Sequence, residues 1–211
     1  MAKTPGGKSP DVGTTSNAGL PSAARRSERA RAAILTAAAE LIRELPYVKL
    51  SVEAIASRAG VGKQTIYRWW PSKGAVVFDA MLELYSGPDG LVLPDTGDIR
   101  ADLRELLRGA IAELTDPSFE AFLRAMYIEI QQDQELATAY RERLLLPQRA
   151  AIAERLSAAV RAGQLRPDLD PDFAVDLLLG PIQSRWSLGL PGLTDSYAEA
   201  TLEAALAHLA P

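Results

Sequence analysis

Ile34, Ala38, Leu41 and Leu45 recur at i, i+4, i+7 and i+11, joined by Leu35 and Ile42. A period of 3.6 residues returns those side chains to one helix face, whereas a strand would scatter them over two. The same spacing returns in Val52, Ile55, Ala56 and Ala59, in Val76, Val77, Ala80, Met81 and Leu84, and in Leu103, Leu107, Ile111 and Leu114. No sustained alternation of apolar and polar residues interrupts it. The fold class expected is all-α, and a hydrophobic content of 47% over 211 residues is enough for a sizeable core.

Proline and glycine divide the helices. Pro46 ends the first, Gly60-Val61-Gly62 turns the chain, and Pro71-Ser72 breaks it again so that Ser72 caps a fourth helix. Residues 86–98, SGPDGLVLPDTGD, form a connector rich in glycine, proline and aspartate, the expected domain boundary. Asp116-Pro117 is expected to start a helix carrying Phe119, Phe122, Met126, Tyr127 and Ile130. Pro147 is expected to kink or split the segment from about 133 to 162, because proline removes a helix hydrogen bond. Residues 1–24, poor in bulky apolar side chains, read as a disordered arm. The division expected is therefore an arm (1–24), a small helical head (25–85) and a larger helical bundle (98–211).

Charge is divided along the chain. Residues 1–86 carry 12 Lys+Arg against 7 Asp+Glu, whereas residues 87–211 carry 11 against 20, so an acidic protein of net charge −4 has a basic end suited to phosphate. There is no cysteine, which excludes a disulfide framework, a thiol nucleophile and Cys-ligated zinc, and fits a reducing cytosol. No stretch approaches the length of a signal peptide core or a membrane span, so the expected location is cytoplasmic, with no membrane partner. His208, the fourth residue from the end of the sequence, is the single histidine, so Ser-His-Asp catalysis and multi-His metal sites lack parts. It reads as a surface or interface residue. No phosphate-binding glycine loop occurs, and Asp168, Asp170 and Asp172 read as a helix-start cluster. The expectation is no enzyme, no cofactor and no metal.

The stretch SVEAIASRAGVGKQTIYRWWPSK, residues 51–73, pairs two short helices around the Gly-Val-Gly turn. Ile55, Ala59, Val61 and Ile66 fill the inside of the angle, leaving Lys63, Gln64, Thr65, Tyr67 and Arg68 outside. In a helix-turn-helix the second helix presents such a face to the major groove. Gln64 can pair bidentately with adenine and Thr65 can meet a thymine methyl. Lys63, Tyr67, Arg68, Trp69 and Lys73 suit phosphate and sugar contacts, and Ser51, at a helix start, suits a phosphate together with free backbone N–H groups. Adjacent helix positions lie about 100° apart, so Trp69 and Trp70 cannot share a face. Trp70 is expected in the core, and for Trp69 core and surface stay open.

This stretch resembles the DNA-binding region of the tetracycline-repressor (TetR) family of transcriptional regulators, matching its pattern at Ser51, Ile55, Ala56, Ala59, Gly60, Val61, Tyr67 and Lys73. It departs from it at Gly62, where serine is usual, and at Trp70, where phenylalanine is usual. The resemblance covers residues 28–81. It implies that Gln64, Thr65, Tyr67 and Trp69 lie in or beside the groove and that Lys73 grips a phosphate. It also implies a second domain that binds a small-molecule effector and dimerises, with release of a palindromic double-stranded operator as the switch.

For that second domain the sequence offers Met126, Tyr127, Tyr140, Gln183 and Trp186 as pocket residues, apolar and aromatic groups with a few polar atoms, although for each of them core packing is the stronger explanation. The last two helices, residues 172–189 and 195–209, carry more apolar surface than one small bundle needs. Leu177, Leu178, Ile182, Leu202 and Leu206 are therefore expected at a homodimer interface. The alternative of a different class is a helical small-molecule carrier or enzyme that retains a vestigial helix-turn-helix.

Overall fold

The computed structural model describes residues 22–85, 93–117 and 119–211, and among them every regular element is helical. The arm up to residue 21 and residues 86–92 of the connector lie outside the described residues. Helix α1 spans Ser22–Glu44, a 3-10 turn covers Tyr47–Lys49, and α2 (Val52–Ala59), α3 (Lys63–Tyr67) and α4 (Lys73–Tyr85) complete the head. Beyond the connector come α5 (Ile99–Leu114), α6 (Glu120–Gln132), α7 (Gln134–Tyr140), a π-helical turn (Arg141–Leu145), α8 (Leu146–Arg161), α9 (Pro171–Ser187) and α10 (Asp195–Leu209).

Local chemistry sets these boundaries. Ser51 Oγ accepts from the Ala54 N–H at 3.1 Å and starts α2. Gly60 ends it at φ 67°, a left-handed conformation that glycine adopts without a Cβ penalty, and Val61 N–H closes back on Ala56 O at 3.0 Å. Ser72 Oγ accepts from the Ala75 N–H at 3.2 Å and starts α4. Asp170 Oδ1 caps α9 by accepting from Asp172 and Phe173. The break expected around Pro147 falls just before it. Leu146 N–H bonds to Arg141 O, one residue further back than in an α-helix, and Pro147 sits in the first turn of α8, where its missing N–H costs nothing. Helix α6 begins at Glu120 and not at Pro117, because the chain first makes a turn in which Asp116 O accepts from both Phe119 and Glu120 N–H.

Two apolar clusters hold the molecule together, and they do not divide at the connector. In the first, Ile34, Leu35, Ala38, Leu41 and Ile42 of α1 pack with Ile55, Ile66, Trp70 and the α4 residues Val76, Val77, Phe78, Ala80 and Met81. The same cluster takes in Phe122, Met126 and Ile130 of α6 and Leu136 of α7. The second joins α5 (Leu103, Leu107, Ile111), α8 (Ile152, Leu156, Ala159), α9 (Ala174, Val175, Leu178, Ile182) and α10 (Ala198, Leu202, Ala205, Leu209). Each fully buried Leu or Ile contributes about 1.5–3 kcal/mol. Inside the second cluster, Asp102 of α5 and Arg155 of α8 are both almost inaccessible and pair through Nε at 2.8 Å and Nη2 at 2.6 Å. Thr96 Oγ1 donates to the same carboxylate at 2.6 Å.

This packing corrects the expected interface. Leu178, Ile182, Leu202 and Leu206 are buried in the chain's own second cluster, so they cannot also cover a partner. Only Leu177 of that set keeps part of its side chain outside. The apolar period identified the right stripe on α9 and α10, but α5 and α8 already cover it.

Candidate DNA interface and effector cavity

The head presents α3 outward. Ile66 is fully buried and anchors the helix, which leaves Lys63, Gln64, Tyr67 and Arg68 exposed and Thr65 half-buried. Gly62 supplies no side-chain cap, so the first turn of α3 depends on packing and backbone bonds, Thr65 N–H to Gly62 O at 2.9 Å among them. Lys63 Nζ lies 2.8 Å from Glu53 Oε1, and that hydrogen bond holds the Glu53 carboxyl below its ordinary range. Arg58 pins α2 to α1, reaching Glu44 at 2.7 Å and Glu40 at 3.1 Å.

The two tryptophans separate. Trp69 is 38% exposed, whereas Trp70 is 4% exposed and turns into the core. Trp70 Nε1 donates to Asp79 Oδ2 of α4 at 2.8 Å. Asp79 Oδ1 accepts from Arg143 of the π-helical turn at 2.6 Å, and Arg31 of α1 stands 3.7 Å away. One carboxylate thus ties the segment after α3 to α1, α4 and the bundle. Asp79 was not singled out from the sequence, although an acid inside the run GAVVFDAML is a legible signal, since a charge on an apolar face needs partners.

Ser51 and Lys73 both have partners within the chain. Ser51 Oγ is engaged in capping α2. The Lys73 ammonium lies 3.8 Å over the Tyr47 ring and 4.0 Å from Glu129 of α6, in the seam between head and bundle. Burial, and after it the Glu129 carboxylate, push the Tyr47 phenol up.

Met126, Tyr127, Tyr140, Gln183 and Trp186, dispersed over α6, α7 and α9, line one cavity of about 180 Å³. Met81 of α4, Glu113 of α5, Leu144 of the π-helical turn and Gln148 of α8 also line it, none of them evident from the sequence because no period says which helices meet. Tyr127 and Trp186 meet edge to face at 5.7 Å, and Tyr140 meets Phe78 of α4 at 6.2 Å. Burial, then Tyr127 and Glu113, push the Tyr140 phenol up, so it stays a neutral donor. A separate apolar groove on the outer face of α9 and α10 is lined by Phe173, Leu177, Pro181, Tyr197, Ala200, Ala204 and His208. Among the described residues no helix is long and apolar enough to cross a membrane, and no group of His, Asp and Glu is placed to hold a metal.

Comparison with known proteins covers both parts of the chain. Residues 34–80 match the family model for bacterial regulatory proteins of the tetR family, and residues 93–205 match a tetracyclin repressor-like C-terminal domain. An uncharacterized HTH-type transcriptional regulator, YdeS of Bacillus subtilis, is 34% identical over 172 residues, 82% of this chain and 85% of the relative. The DNA-binding transcriptional repressor TetR of Mycobacteroides abscessus is 29% identical over 175 residues, 82% of this chain and 89% of that one. Among solved structures, the TetR family transcription regulator SCO0332 superposes with a TM-score of 0.73 at 37% identity, over 87% of this chain and 100% of the other. The flavonoid-responsive regulator FrrA superposes with a TM-score of 0.60 at 27% identity, over 87% and 98%.

Proposed function

The chain belongs to the tetracycline-repressor family of helix-turn-helix transcriptional regulators, and from that premise we propose that it is a homodimeric repressor released from a palindromic operator by a small-molecule effector. In this reading residues 25–85 are the DNA-binding head and residues 98–211 the effector-binding and dimerisation bundle. Gln64, exposed on α3, and the half-buried Thr65 beside it read bases, and Lys63, Tyr67, Arg68 and Trp69 hold phosphates and sugars. Lys73 joins them by leaving Glu129 when DNA offers a stronger anion, and Ser51 contributes through the α2 start that it caps. The outer groove of α9 and α10 meets its twin about a two-fold axis, which sets two α3 helices about one turn of DNA apart, ~34–36 Å. A catalytic role has no part in this reading, and the relatives are named as regulators.

One observation carries the effector step: α4 bears both Asp79, which holds Trp70 behind the recognition helix, and Met81, two residues on, which lines the cavity. Leu144 of the cavity wall adjoins Arg143, the other partner of Asp79. An effector that fits better when these elements shift therefore favours a state in which the two recognition helices no longer match successive grooves, by no more than its difference in affinity for the two states. The test is a binding titration against the DNA flanking its own gene, at two salt concentrations. A specific, salt-sensitive complex at an imperfect palindrome is expected, and its absence sinks the regulator reading in favour of a carrier that keeps the fold.

A further inference from the structure

The cations of the chain divide by whether they have partners. Every arginine beyond the connector, from Arg100 to Arg185, reaches an acid, a hydroxyl or a carbonyl oxygen of the chain. Arg31, Arg58, Lys63 and Lys73 of the head reach acids as well. Among the described residues, the cations left without such a partner are Arg25, Arg26, Arg29, Arg43, Lys49 and Arg68, all of them exposed and all in the head. A paired arginine is largely cancelled at a distance by its own carboxylate; an unpaired one attracts phosphate with its whole charge.

Three of these are gathered at one place. Arg25, Arg26 and Arg29 stand on the first turns of α1, and at about 100° per residue they share one side of the helix. Arg31 lies on the opposite side, 3.7 Å from Asp79 and 5.8 Å over the Trp70 ring. The positive end of a helix disfavours cations, and no acid stands in the first turn of α1 to offset them, so helix stability does not account for the cluster. Glu28 is the one acid among these turns. Ser27 and Ala30, on the inner side, are only half-buried, and full burial begins at Ile34, so this end of α1 projects past the core.

The projecting end is continuous with the recognition surface. Trp70 follows α3 directly, next to the exposed Arg68 and Trp69, and Arg31 meets its ring. From Arg31, Arg29 is about 3 Å further along α1, and Arg25 and Arg26 about 8–9 Å, at 1.5 Å per residue. Phosphates recur every ~3.4 Å of duplex axis on each strand, so arginines one helical turn apart meet different phosphates. Helix α3 has five residues and covers only ~7.5 Å, which leaves the backbone on either side of the bases it reads to other elements.

We propose that Arg25, Arg26 and Arg29 are a second phosphate-binding element, which holds the duplex backbone beside each half-site, outside the base pairs that α3 reads. The inference rests on the regulator reading and adds the extent of the DNA surface. Its test is titration of the full-length protein with the operator duplex over a range of salt concentrations, the duplex being either trimmed to the palindrome or extended by about six base pairs, ~20 Å, at each end. Arg25→Gln, Arg26→Gln and Arg29→Gln together should lower the salt slope on the extended duplex by about 2–3 per protomer, at ~0.9 for each phosphate, and weaken binding at least tenfold. The ranking of single-base operator variants should stay the same, because phosphate contacts carry no sequence information. On the trimmed duplex the wild type and the variant should bind alike. The same three positions changed to lysine should keep most of the slope, since a point charge suffices for phosphate. Arg100→Gln, Arg108→Gln and Arg161→Gln together remove equal charge from the bundle and should leave the slope as it is. An unchanged slope in the head variant, an equal loss on both duplexes, or a loss as large in the lysine or the bundle variant overturns the proposal. So does arginine-dependent binding to phosphatidylserine–phosphatidylcholine vesicles with none to the flanking DNA. A wild-type protein that forms no salt-sensitive operator complex removes the regulator reading and this inference with it; a wild-type complex that the glutamine variant matches removes this inference alone.

Discussion

Trp70 and Asp79 are joined by a hydrogen bond of 2.8 Å from the indole Nε1 to the carboxylate, and that bond fixes the chain where it leaves the recognition helix. Asp79→Ala would leave the buried indole without an acceptor and Arg143 without its carboxylate. A loss of about 2 kcal/mol in urea unfolding is expected, since hydrogen bonds to a charged group contribute ~1.5–3 kcal/mol. Asp79→Asn keeps an acceptor oxygen and should cost less than Asp79→Ala. Equal losses in the two variants would mean that the charge, and not the hydrogen bond, is what matters.

The buried pair of Asp102 and Arg155 predicts a pH dependence. Burial, the largest influence on the Asp102 carboxyl, raises it, but the hydrogen bonds from Thr96 and Arg155 outweigh burial and hold it below the ordinary range. A carboxyl lowered on folding contributes stability that is whole above its unfolded value, about 4, and lost as pH falls through the lower folded value. Stability should therefore decline below about pH 4, and Asp102→Asn should flatten that decline. Arg155→Met should cost about 3–5 kcal/mol at pH 7, because it strands a buried charge. Thermal melts across pH 3–7 measure both effects.

Gln64 and Arg68, four residues apart and both exposed, stand at the two ends of α3 and are expected to fail differently. Gln64→Ala should relax preference at particular base pairs by about 1–3 kcal/mol per position while sparing others. Arg68→Ala should weaken every sequence alike and flatten the salt dependence by about one unit of slope. Competition titrations with single-base operator variants separate reader from clamp.

Lys73 and Glu129 face each other across the seam at 4.0 Å, so the lysine is available to DNA only by leaving that carboxylate. Glu129→Gln should release it. The expected result is DNA binding tightened severalfold at low salt, with a salt slope steeper by up to about one. Lys73→Ala should cancel the effect of Glu129→Gln in the double variant; persistence of the gain would assign it to another group.

The groove of Leu177, Pro181, Tyr197 and Ala204 is the proposed dimer face. Ala204 is exposed, so an arginine there meets water in a monomer and an apolar surface in a dimer. Ala204→Arg should give monomers by sedimentation with an unchanged helical circular dichroism spectrum. Leu202→Arg, inside the second cluster, should instead unfold the bundle.

Helices, caps and the inward turn of Trp70 were legible because each is a local matter of period, proline, glycine and short polar side chains. Ser51, Gly60, Ser72 and Asp170 all cap or end the helices they adjoin in sequence. Meetings between distant helices were not legible. Nothing in the period of α9 and α10 says that α5 and α8 lie over Leu178 and Leu202, so an internal stripe was read as an outer one. Lys73 fits a phosphate clamp by its spacing, and its approach to Tyr47 and Glu129 depends on how α6 crosses the head. Arg143 joins Asp79 across 64 residues of chain, through a π-helical turn that no propensity marks.

Phe122, Met126, Ile130 and Leu136 follow the connector in sequence yet belong to the core of the helices before it. A hybrid regulator spliced within residues 86–98, with this head on a relative's bundle, would therefore inherit a head whose underside was shaped by another lineage. The head and bundle of this chain are not free cassettes: a change in α4 calls for a matching change in α6, and a working graft should carry α6 and α7 along with the head they support.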